Sequence, residues 1–142
     1  MEFSRAFSQA PWEAKVGYCR ALRAGQHIYV TGTAPVDESG KGVHGEGDAY
    51  AQARRCLELI ERALKKLGAD RTRIVRTRMF VTDISRWQEF GRAHGEFFAG
   101  HPPTTTMVEV KALIDPGMLI EIEADAVAAI YDAEHPFRDS AG

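Results

Sequence analysis

At Asp48 the spacing of apolar residues changes from about every second position to every third or fourth, and it changes back at Ile74. A strand repeats every two residues and a helix every 3.6, so a chain carrying both periods must combine the two kinds of element. Ala53, Leu57, Ile60, Leu64 and Leu67 trace one stripe of an amphipathic helix, with Asp48 placed as its N-cap and Gly68 as its stop. Ile74–Thr82 then alternates, with Val75, Thr77, Met79 and Val81 on one face and Arg76, Arg78 and Phe80 on the other. That alternation predicts a central strand.

The remaining segments follow the same two rules. Tyr18–Ala24 and His27–Thr31 predict a hairpin turning at Gly25-Gln26, with Gly32 ending its second strand. The glycine-rich stretch from Pro35 to Gly47 has room for one short strand around Val43. A second helix is expected from Ser85 to Phe98, carrying Trp87, Phe90, His94 and Phe97 on its apolar stripe and stopped by Gly100 and Pro102-Pro103. Thr104–Lys111 and Leu119–Ala129 alternate on either side of the turn Asp115-Pro116-Gly117 and predict a closing strand pair. The order is β-β-(β)-α-β-α-β-β, an α+β arrangement read as one domain over residues 1–130 with a flexible tail at 131–142.

Two crossover helices are too few to cover both faces of a five- or six-stranded sheet, and right-handed crossovers place both on the same side. Phe80, Val108 and Val110 make the other face too apolar to stay wet, so burial against further copies of the chain is expected.

Composition narrows the setting. With 44% hydrophobic and 27% charged residues the chain has the make-up of an ordinary globular domain. No apolar run approaches the ~20 residues needed to cross a bilayer, and MEFSRAFSQA lacks the apolar core of a secretory signal, which predicts a cytoplasmic protein without a membrane partner. Cys19 and Cys56 are expected to be free thiols, Cys19 packing as a small apolar group. The net charge is −2, although nine of the 18 basic residues lie between Arg54 and Arg78. Glu58 and Glu61 stand among them at helical spacing, so a solvated face of mixed pairs is expected there, and a nucleic-acid partner is not. The five histidines and two cysteines show no metal-binding spacing, and no glycine-rich phosphate loop is present. No metal and no cofactor are expected.

Four segments together carry a resemblance. GYCRALRAGQHIYVTGTAP is similar to the first hairpin of the YjgF/Rid proteins, also called the endoribonuclease L-PSP group. RMFVTDISRWQEF resembles that family's strand-and-helix segment, FFAGHPPTTTMVEV the segment before its cleft, and LIEIEADA its last strand. The matches run in order from about Gly17 to Ala129. The resemblance implies a chorismate-mutase-like fold and a homotrimer with three equivalent intersubunit clefts. It implies binding of a small polar carbonyl-, enamine- or imine-like metabolite, with hydrolytic deamination as the chemistry if the protein is an enzyme. A non-catalytic ligand sensor or interaction module, and an RNA-binding or endoribonuclease-like protein, stay open beside it.

Carried across by position, the resemblance places the cleft tyrosine at Tyr18, the strand-end residues at Thr31 and Gly32, and the cleft glutamate at Glu121. By alternation Glu121, Glu123 and Asp125 form a solvent-facing acidic row, and the resemblance singles out Glu121 as the group to hold and polarise a water. Deaminating members hold the substrate carboxylate with an arginine two residues after the proline matched here by Pro103. This chain has Thr105 there. A hydroxyl lacks the charge and the second donor of a guanidinium, which implies a loss on the order of several kcal/mol in binding and poor 2-imino acid deamination. Gly17 stands where the family usually has proline, and Arg20 replaces a glutamine on the same face as Tyr18. Arg20 is therefore a candidate second positive wall of the cleft, with pairing to Glu13 as its alternative role.

Overall fold

The computed structural model describes residues 2–129. The tail expected at 131–142 lies outside them. Strands β1 (Phe3–Ala6), β2 (Ala21–Ala24), β3 (His27–Thr33), β4 (Ile74–Val81), β5 (Thr104–Glu109) and β6 (Ile120–Val127) form one mixed sheet. Its spatial order is β1-β2-β3-β6-β4-β5. A short helix α1 (Trp12–Val16) precedes β2, α2 (Ala49–Lys66) joins β3 to β4, and α3 (Trp87–Phe97) joins β4 to β5. β4 and β5 run parallel, and β3 and β4 are both antiparallel to the β6 between them, so α2 and α3 are crossovers between parallel strands. This is the expected α+β class, with the two long helices on one face.

Helix α2 forms where its apolar stripe demands. The Asp48 carboxylate accepts from the Ala51 amide at 2.9 Å, satisfying a donor that the first turn leaves open. Gly68 takes φ +85°, the left-handed value that stops the helix. Leu57, Ile60 and Leu64 are fully buried against Ile28, Val30, Met79, Val81, Ile120 and Ile122 of the sheet. Each such side chain contributes about 1.5–3 kcal/mol of burial. Gln52 is also fully buried on this stripe. Its Nε2 donates to the carbonyls of Gly45 and Gly117, and its Oε1 accepts from the Leu119 amide at 2.8 Å. One side chain thus anchors the chain two residues before Glu121.

Several expectations are corrected. α3 does not begin at Ser85: Asp83 caps a 3-10 turn over Ile84–Arg86, and Trp87 opens the helix at 55% exposure while Phe90, His94 and Phe97 are buried. Val75 departs from the alternation because the ladder between β4 and β6 shifts register between Ile74 and Arg76, which turns Val75 outward. β5 and β6 are not paired with each other. The α3 crossover lays β5 on the free edge of β4, and β6, whose Ile120, Ile122, Ala124 and Ala126 are at most 2% exposed, fills the gap between β3 and β4. The segment around Val43 makes a single bridge to Val36. β1 and α1, four and five residues long, carry no clear period in the sequence.

The face opposite the helices carries Tyr29, Phe80 and Val108, two of them more than 40% exposed, beside a polar group in which Arg78 reaches Glu123 and Asp125 at 3.3 Å each. Among the described residues no helix is long and apolar enough to cross a membrane.

Candidate functional site

Helix α1 decides where the site begins. It ends at Gly17 with φ +88°, and the Glu13 carbonyl accepts from the amides of both Gly17 and Tyr18 at 2.9 and 3.0 Å. Proline holds φ near −65°, so the residue commonly found at this place in the YjgF/Rid pattern cannot close this helix. The turn delivers Tyr18 and then Arg20 to the wall of a cleft of ≈ 760 Å³.

Tyr18, Arg20, Gly32 and Glu121 all line that cleft. Arg20 is 9% exposed and works in two directions. Its Nε donates to Glu13 at 3.2 Å, and its Nη1 donates to the Gly32 carbonyl at 2.9 Å and to Thr33 Oγ1 at 3.4 Å, while the guanidinium stands 5.7 Å from the centre of the Tyr18 ring. Nη2 has no hydrogen-bond partner among the described residues, yet no buried side-chain nitrogen or oxygen lacks one. Nη2 therefore keeps some accessible surface on a residue that lines the cleft. Arg20 thus pairs with Glu13 and also lines the cleft. Burial pushes the Glu13 carboxyl up, but hydrogen bonds from the Ser8 hydroxyl and amide together with the Arg20 charge outweigh it and hold it below the usual carboxylate range.

Glu121 has the opposite balance. Burial raises its carboxyl above the ordinary value, the Arg20 charge pulls part of the way back, and Glu123 adds a further upward push. No described residue donates a hydrogen bond to it. Its closeness to the backbone depends on Gly32: a methyl group added there would stand 3.1 Å from both Cδ and Oε2 of Glu121. The ladder between β3 and β6 shifts register between Val30 and Thr33, so Gly32 lies in an irregularity that brings the strand against the carboxyl. The result is a desolvated acid without fixed partners, a charged donor on the same wall, and apolar surface from Trp12, Val16 and Ile114. Such a set can hold an anion, give a proton to it and take one from water.

Two of the expected positions lie apart. Thr31 gives its hydroxyl to the Cys19 carbonyl at 2.8 Å and lines a second, smaller hollow with Arg5, Phe7 and Tyr18. Thr105 stands on the outer strand β5, where its Oγ1 accepts from Thr77 Oγ1 at 2.7 Å, and Thr77 Oγ1 also contacts His94 Nε2 at 2.8 Å. Burial lowers the His94 pKa. Within one chain Thr105 is thus the exposed end of a polar chain that runs inward through the buried Thr77 and His94.

The cleft also has members that the sequence did not single out. Arg55, Leu59, Arg62 and Lys66 recur at three- and four-residue steps along α2 and form its far wall. Spacing was the available signal, but the same residues read as a solvated mixed face. Much of the surrounding basic segment does pair: Arg54 with Glu58, Arg71 with Glu61 and Arg78 with Glu123. Among the described residues no group of three or more His, Cys, Asp or Glu is arranged to hold a metal.

Comparison with known proteins adds three findings. A family model described as Endoribonuclease L-PSP matches residues 7–128. A 3-aminoacrylate deaminase, RutC, of Acinetobacter baylyi is 33% identical over 109 residues, covering 77% of this chain and 85% of that protein. The crystal structure of Rv2704 from Mycobacterium tuberculosis, a member of the YjgF/YER057c/UK114 family, superposes with a TM-score of 0.80 at 44% identity, covering 89% of this chain and 100% of that one.

Proposed function

From the premise that this chain belongs to the Endoribonuclease L-PSP family, we propose that its cleft binds and hydrolyses a small carboxylic acid bearing an enamine or imine, with Glu121 as the proton-transfer group and Arg20 as the anchor of the carboxylate. One observation carries the reading: an unpartnered, burial-raised carboxyl and a guanidinium with an uncommitted Nη2 share one wall of the same cleft. A raised carboxyl exchanges protons closer to neutral pH than an exposed glutamate does. In its acid form Glu121 protonates the enamine carbon or the imine nitrogen. The resulting iminium is attacked by water, Glu121 takes the water proton, and the carbinolamine breaks its C–N bond to leave a carbonyl and ammonia. Tyr18 supplies an apolar wall, and Gly32 keeps the strand backbone close to the reacting carboxyl.

The reading includes assembly into a trimer that buries Tyr29, Phe80 and Val108 and completes the cleft with residues of a neighbouring copy, Thr105 among the candidates. It also includes a single domain over residues 1–130 and a cytoplasmic setting, in keeping with two free thiols. Relocating the cation from position 105 to Arg20 changes where the substrate carboxylate is held, so rates on simple 2-imino acids are expected to fall below those of arginine-bearing relatives. Against an RNA-directed role stands the pairing of Arg54, Arg71 and Arg78 with carboxylates of the same chain.

The test is ammonia release from enamine and imine acids generated in solution, with the wild type and Glu121→Gln run side by side. Proton transfer by a positioned group is worth roughly 10²–10⁴-fold, so a loss of that size with retained binding of the corresponding 2-keto acid is expected. Undiminished turnover in the variant overturns the role of Glu121. A wild type that binds the keto acid but releases no ammonia marks a sensor.

A further inference from the structure

The far wall of the cleft holds a second cationic feature. Arg55 is 6% exposed and is fixed by its Nε, which donates to the Val36 carbonyl at 2.7 Å. Its Nη1 meets Glu38 Oε1 at 2.9 Å, and Nη2 of Arg62, two helical turns further along α2, meets the same oxygen at 3.2 Å. Glu38 itself is 77% exposed on the turn-rich segment between β3 and α2. It offers one oxygen to two guanidiniums and leaves Oε2 without a partner among the described residues. Arg55 Nη2 is likewise uncommitted, and since no buried side-chain nitrogen is left without a bond, it keeps some accessible surface on a residue that lines the cleft.

Two arginines converging on one carboxylate are an anion site by construction, and the fork geometry of each suits a bidentate partner better than a single shared oxygen. An ion pair whose carboxylate stands in water is screened and contributes little, so Glu38 is a weak occupant. The neighbouring carboxylate does not compete, because Asp37 is engaged by Ser39 and the Gly42 amide within its own turn. Both arginine groups line one cleft, whose single-chain volume of ≈ 760 Å³ has room for a ligand with two charged ends.

We propose that Arg55 and Arg62 form a second anion subsite, covered by Glu38 in the empty protein, and that the preferred ligand is a dicarboxylic acid with one carboxylate at Arg20 and the other at this pair. The inference rests on the proposed placement of the first carboxylate at Arg20. It makes α2 a specificity element, with Glu38 swinging out as the second carboxylate enters.

Calorimetric titration with 2-oxobutyrate and with 2-oxoglutarate separates the two ideas. The dicarboxylate is expected to bind at least tenfold more tightly. Arg62→Gln, at a half-exposed position that folding tolerates, is expected to shrink that ratio to threefold or less. Glu38→Gln removes the internal competitor without removing a cation, and is expected to tighten 2-oxoglutarate severalfold. Equal affinities, a ratio unmoved by Arg62→Gln, or a weakened dicarboxylate in Glu38→Gln each overturn the subsite. Binding of 2-oxobutyrate alone rejects the second subsite and leaves the first intact, whereas binding of neither acid rejects both.

Discussion

Replacing Gly32 with alanine separates the role of Glu121 in chemistry from any role in folding. The added methyl group would meet Cδ and Oε2 of Glu121 at 3.1 Å. Ordinary carbon contacts fall near 3.5–4.0 Å, so the carboxyl must retreat by roughly 0.4 Å. It is free to do so, because no described residue donates a hydrogen bond to it. Nor is the backbone at Gly32 among the positive-φ glycines, so alanine adopts its conformation without strain. Glycine-to-alanine changes at compatible positions stabilise by about 0.4–1 kcal/mol through the unfolded chain, which offsets the new contact and leaves folding within about 1 kcal/mol of wild type. Function has no such offset. A misplacement of about 1 Å can cost on the order of 10²-fold, so a displacement of a few tenths, with the methyl group intruding on the cleft, is expected to lower turnover about tenfold. Urea unfolding followed by the fluorescence of Trp12 and Trp87, beside ammonia-release rates, reads both quantities. Wild-type turnover in a folded Gly32→Ala protein would refute the reasoning, as would a loss of more than about 3 kcal/mol in stability, which would make the glycine structural.

Three further outcomes are expected. Burial raises the Glu121 pKa in the folded state, so its penalty is absent while the group is neutral in both states, grows as pH climbs past the unfolded carboxylate value, and is complete above the folded one. Glu121→Gln should therefore match wild type near pH 4 and exceed it in thermal stability at pH 8; a variant less stable at pH 8 contradicts the burial argument. Thr77→Val strips His94 of its hydroxyl partner and Thr105 of its donor at a fully buried position, a cost of about 1–3 kcal/mol, whereas Thr105→Val should cost under about 1 kcal/mol. The reverse order in urea midpoints would show that the polar chain is anchored elsewhere. Val108→Lys places a charge on the exposed face beside Phe80, and sedimentation is expected to show a smaller species than wild type. An unchanged mass would move the proposed assembly surface.

Legibility in the sequence followed periodicity. The β2-β3 hairpin, the Asp48 cap and the stripe from Ala53 to Leu67 all rest on contacts within a few residues, and all were readable. The neighbours of β5 and β6 were not, because Asp115-Pro116-Gly117 specifies a local turn but says nothing about which strand edge lies free after a crossover. Val75 escaped because a register shift interrupts alternation without leaving a glycine to mark it. At the candidate site, alternation put Tyr18 beside Arg20 and Glu121 on the face opposite Ile120, but only the family resemblance chose those residues from several equivalent ones. Arg55 and Arg62 escaped because their partner, Glu38, is remote in sequence and sits in a segment with no period.

The position of β6 has a consequence for how the molecule is made. Among the described residues it is the last strand in the chain and the one that joins the sheet, with Val30 opposite Ala124 on one side and Met79 opposite Ile122 on the other. Until it leaves the ribosome, the hairpin β2-β3 and the unit β4-α3-β5 share no backbone ladder, and each exposes an unpaired seam to other nascent chains. High contact order of this kind slows folding and prolongs that exposure, so the yield of native protein depends on how quickly the final strand arrives.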